Sequence, residues 1–125
     1  MKQVQDALAS LIQYGIPVSA GIWRTTDTTQ NPPPQYIVYS STTNEDAHSD
    51  DRVDSYRTYV YMNLWSVDDP TATAALVRKL MYQHGFGMLE ETDKGYNQPA
   101  YDTAVRLFTI GWTWVWREDV VHDAD

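Results

Sequence analysis

The chain of 125 residues suits one domain that buries about two-thirds of the surface its unfolded form exposes, so neither metal nor disulfide is needed for folding. Seventeen acidic against nine basic residues give a formal net charge of −8 with no cluster of Lys or Arg, which excludes an ordinary nucleic-acid binder, since that function needs a basic footprint on phosphates. The absence of cysteine excludes thiol catalysis and thiolate zinc sites, and with no signal-peptide pattern and no run near the ~18 to 20 apolar residues that span a bilayer, a soluble protein with no membrane partner is expected.

Val4, Ala7, Leu8, Leu11 and Ile12 recur at helical spacing, which predicts an amphipathic first helix. It should end near Tyr14, because Gly15 supplies a left-handed turn and Pro17 cannot continue a helix. A short strand is expected over 18–24. Residues 25–35, which include Asp27, are polar and end in three prolines; proline cannot donate to a ladder, so a stiffened projecting loop is predicted. The proline run lacks the flanking basic residue of an SH3 ligand. Strand character resumes over 36–42.

Residues 43–55 carry Glu45, Asp46, His48, Asp50, Asp51 and Asp54. They lack the glycine and the closing bidentate Glu of a calcium loop, so a solvated loop is predicted there in preference to a cation site. Residues 56–67 alternate Thr58, Val60, Met62 and Leu64 with Tyr59, Tyr61, Asn63 and Trp65, the period of a strand. Its aliphatic face suits helices. Its tyrosine-rich face has the composition enriched at protein interfaces.

The second helix is announced by Asp68-Asp69-Pro70, a capping Asp with proline at the first helical position. Its predicted buried stripe is Ala72, Ala75, Leu76, Leu80 and Met81, and it closes at His84-Gly85. His84 there complements the helix dipole. A short strand over 86–91 and a turn-rich loop over 92–99 follow.

The last long strand, 104–117, sets Val105, Leu107, Thr109, Gly111, Thr113 and Val115 against Phe108, Ile110, Trp112, Trp114 and Trp116. Both faces are largely apolar, so each side needs a cover: the chain's own helices on one, a second copy on the other. Residues 118–125 are an acidic tail beyond a single domain of 1–117. The expected fold is α+β, a mainly antiparallel sheet with two helices on one face, in the order α-β-β-β-α-β-β.

No serine sits on a glycine-flanked elbow, and His48, His84 and His122 lack the spacing of ligands on one helix face. Gly85 and Gly87 precede no helix, so no dinucleotide cradle is formed. A carboxylate pair for glycoside hydrolysis is the one catalytic arrangement that so many acids leave open. No catalytic, cofactor or metal residue is assigned. What remains is aromatic surface: five tryptophans and nine tyrosines exceed what two small helices can keep dry, at roughly 150 to 250 Å² per ring. Tyr59, Tyr61, Trp65, Trp112, Trp114 and Trp116 are the expected oligomer interface.

The stretches RTYVYMNLW, DDPTATAALVRKLMYQHGF and GMLEETDKGYNQPAYDTAVRLFTIGW give the chain a layout that resembles the small tail-completion proteins of long-tailed bacteriophages, also called tail terminators or head-tail joining proteins. The likeness covers most of the chain and is one of layout, without a diagnostic motif. It implies helices on one side of a mainly antiparallel sheet and a structural, non-enzymatic ring, commonly a hexamer, at the head-proximal end of the tail in the virion neck. Such a ring meets the tail tube protein and the head connector, and DNA passes through it without specific binding. Asp27, Glu45, Asp46, Asp50 and Asp51 would then lie on loops facing the lumen or a docking partner. The acidic segment 43–55 and the Trp-rich last strand depart from the family's pattern. The rival expectation is a carbohydrate or small-ligand module that stacks its ligand on Trp112, Trp114 and Trp116 or on Tyr59 and Tyr61.

Overall fold

The computed structural model describes residues 2–21, 33–49, 52–89 and 99–119. Two helices, α1 (Lys2–Gln13) and α2 (Thr71–Gln83), accompany six strands: β1 (Val18–Ala20), β2 (Gln35–Ser49), β3 (Arg52–Ser66), β4 (Gly87–Met88), β5 (Ala100–Asp102) and β6 (Leu107–Asp119). The fold is the expected α+β, with the short β5 added ahead of the last strand. The sheet runs β1-β2-β3-β6-β4, and β5 also pairs with β6. All pairings are antiparallel except β1 with β2.

Register decides which side chains meet the helices. Ile37, Leu64 and Ile110 form one rung across β2, β3 and β6, Tyr39, Met62 and Trp112 the next, and Ser41, Val60 and Trp114 the third. These rungs join Val4, Ala7, Leu8 and Leu11 of α1 and Ala74, Val77, Leu80 and Met81 of α2 in one core. Burying each such aliphatic side chain stabilises the fold by roughly 1.5–3 kcal/mol. The phase of α2 differs from the expected one. Ala72 and Ala75 are exposed and Leu76 is half-buried, because Ala74 and Val77, one step round the helix, face the sheet.

Both helices end in the same way. Ile16 N–H donates to Leu11 O and Gly15 N–H to Ile12 O; Phe86 N–H donates to Met81 O and Gly85 N–H to Tyr82 O. With Gly15 at φ 87° and Gly85 at φ 85°, each is a left-handed cap whose following apolar residue, Ile16 or Phe86, is buried. Hence Phe86 belongs to the helix end, and the strand expected over 86–91 shrinks to Gly87–Met88, its last two positions lying outside the described residues.

At its start α2 is capped one residue later than expected. Pro70 occupies the N-cap itself, and the Asp69 carboxylate accepts from both the backbone N–H and the hydroxyl of Thr71. Those bonds hold the Asp69 pKa below its ordinary value. A depressed folded pKa contributes stability above the unfolded pKa that is lost as pH falls through the folded one. An Asp69→Ala variant is therefore expected to lose thermal stability at neutral pH and to converge on the parent in acid, read by paired melts across pH 2–7.

Three boundaries move. β1 stops at Ala20 because Gly21, at φ 76°, leaves the extended region; residues 22–24 and most of the proline-rich loop, including Asp27, lie outside the described residues. The last strand begins at Leu107, after a turn in which Asp102 accepts from the Ala104 and Arg106 N–H groups and Arg106 takes φ 59°. It continues through Glu118 and Asp119, so these two residues are strand and not tail.

The largest correction is the acidic segment. Residues 43–49 and 52–55 are not a loop but the far half of the β2–β3 hairpin, paired through His48 with Val53 and Ser49 with Arg52, with a bulge around Ala47. The residues of this two-stranded arm are polar or charged apart from Ala47 and Val53 and show no apolar alternation, so the pairing left no periodic trace in the sequence. Glu45 and Asp46 lie on β2; Asp50 and Asp51 are outside the described residues.

Candidate interaction surface

The sheet has a second face, and the two helices do not reach it. Its rungs are Tyr36, Trp65 and Thr109; Val38, Asn63 and Gly111; Ser40, Tyr61 and Thr113; Thr42, Tyr59 and Val115; and Asn44, Arg57 and Arg117. Tyr61 is 45% exposed, while Tyr36, Tyr59, Trp65, Val38 and Val115 are half-buried. Those rings and methyls cover one another along the strands. Tyr59 and Tyr61 stack with centroids 6.4 Å apart and planes within 14°.

The middle of this face is flat. A Cβ on Gly111 would lie 3.1 Å from Asn63 Nδ2, so the Asn63 amide lies over the space a side chain would take. Glycine inside a strand marks such close approaches. Neighbouring burial raises the Tyr36 phenol pKa, and the Thr109 hydroxyl is buried without a partner. Across these rungs the only charges are Arg57 and Arg117, opposite each other at the arm end. No carboxylate lies on them, although the chain carries seventeen acids.

The six aromatic residues expected at an interface therefore divide. Tyr59, Tyr61 and Trp65 lie on the open face. Trp112 and Trp114, at 2% and 0% exposure, are buried beneath the helices, and Trp116 packs against the same core. Trp114 meets Tyr82 of α2 edge-on at 5.5 Å and lies 6.1 Å from Trp112. Trp112 and Trp114 cannot also line a contact with another molecule, which corrects the expected interface for these two and withdraws the three-indole stacking platform, while Trp116 stays half-buried. Tyr36 and Val38 join the face instead. Their alternation with Ile37 and Tyr39 was the available signal, but it gains meaning only once β2 is set in register with β3.

Of the docking residues expected on loops, Asp27, Asp50 and Asp51 lie outside the described residues. Glu45 is exposed on the arm, and no group of three or more His, Asp or Glu that could hold a metal occurs among the described residues. Comparison with known proteins finds no matching family model, no matching curated protein and no matching solved structure.

Proposed function

We propose that this chain is a structural subunit that assembles with copies of itself into a ring, as a tail terminator does at the head-proximal end of a phage tail, between tail tube and head connector. One observation carries the reading: a sheet roofed by helices on one side presents on the other an aromatic face whose five central rungs hold no carboxylate, Asp102 and Asp119 lying only beyond its two ends. A chain with net charge −8 repels its own copies over most of its surface. The open face is where that repulsion is weakest. A heterologous contact of this kind closes into a ring. The same acidity suits a lumen along which DNA slides without being gripped.

The five rungs span about 27 Å between first and last, over strands about 4.8 Å apart. That footprint is smaller than the ~800 Å² per partner of a standard interface, so a ring must add contacts beyond this face, and the hairpin arm is placed to supply them. Light scattering and negative-stain microscopy of the purified protein test the reading. Closed rings of uniform mass support it; a strict monomer up to about 100 µM, well above the concentrations at which interfaces of standard size associate, overturns it. A monomer whose tyrosine fluorescence responds to oligosaccharides would support the carbohydrate reading through Tyr59 and Tyr61.

A further inference from the structure

β2 is longer than the strand beside it. Among the described residues β1 covers only Ile37, Val38 and Tyr39, and it ends at Ala20, just ahead of Gly21 with its positive φ. The hydrogen bonds fix which groups point outward. Ile37 N–H donates to Pro17 O, and Tyr39 O accepts from Gly21 N–H, so residues 37 and 39 address β1. By the alternation of a strand, Ser41 and Thr43 point their N–H and C=O groups to the same side, where no described residue lies across from them.

An unpaired edge is a template for another strand, and natural sheets blunt it with charge, proline or a bulge. This one is left plain over 40–44, Ser-Ser-Thr-Thr-Asn, all exposed and without charge or proline in an otherwise acidic chain. The bulge comes just beyond, around Ala47. We infer that this edge is a strand-pairing site for the same edge of a second copy of the chain, the two strands running antiparallel about Thr42.

A two-fold axis at Thr42 sets Ser41 of each copy opposite Thr43 of the other, and each of these residues exchanges both backbone bonds with its partner. Two uncharged stretches meet without repulsion. The bulge bends each arm out of line, which steers it past the other copy's β1. The contact is isologous, so by itself it gives a dimer and not a ring; it does not depend on the ring reading, and combined with a ring it gives two rings back to back.

Hydrogen exchange of the unaltered protein, with sedimentation at matched concentrations, is the test. The expected result is protection of the Ser41 and Thr43 amides that rises with concentration in step with a dimer. A Ser41→Pro, Thr43→Pro variant removes the outward-facing N–H groups and the Thr43–Thr58 hydroxyl bond of 2.9 Å, and takes no N–H from the β3 ladder. It should weaken dimerisation by at least ~10-fold with an unchanged circular dichroism spectrum. Two results overturn the inference: amides that exchange freely at every concentration, and amides protected equally in a dilute monomer, which would place the subunit's own chain on the edge. The wild-type exchange decides the matter even if the double variant fails to fold.

Discussion

Trp114→Ala is expected to remove about 3–5 kcal/mol of folding stability, the cost of deleting a buried aromatic ring. The side chain is 0% exposed, sits in the rung of Ser41 and Val60, and packs edge-on against Tyr82 of α2. Small domains hold only about 5–15 kcal/mol in total, so the variant should melt roughly 10–20 °C below the parent. Trp114→Phe should cost less than half as much. It keeps most of the apolar volume, and it removes an indole N–H that is buried without a partner, a group whose unpaired burial itself costs about 1–3 kcal/mol. A Trp114→Ala melt within a few degrees of the parent would mean that the ring is not in the core.

That expectation reverses the one drawn from the sequence, and register is the reason. Alternation along 104–117 separates the tryptophan set from the threonine and valine set without saying which faces the helices. The answer comes from β3, whose Val60, Met62 and Leu64 were legible as the helix-facing set. β6 pairs Val60 with Trp114 and Met62 with Trp112. Slipping the ladder by one residue would exchange the two faces, and nothing local to β6 forbids the slip. The helices were legible for the opposite reason: Gly15 and Gly85 stop them through backbone geometry that is local to the chain. The hairpin arm was not legible, since a polar and charged run without apolar alternation carries no period-two signal. The open face was half legible, through Tyr59, Tyr61 and Trp65, because β3 alone carries most of its rings.

Tyr61→Asp is expected to abolish self-assembly while leaving the subunit folded. Tyr61 lies mid-face between Ser40 and Thr113 and is already 45% exposed, so the subunit loses little packing, and its melting temperature should stay within about 3 °C of the parent in dilute solution. In a contact the same change places an unpaired carboxylate on rungs that carry none, against a neighbour rich in acids. Truncating a central aromatic anchor costs about 2 kcal/mol or more, and a desolvated charge adds to it. Assembly should weaken by at least ~30-fold, read by sedimentation across a dilution series. Tyr61→Phe keeps the ring and should assemble nearly as the parent does. If Tyr61→Asp assembles at the parent's concentration, the open face is not the contact, and the edge of β2 and the hairpin arm remain to hold the copies together.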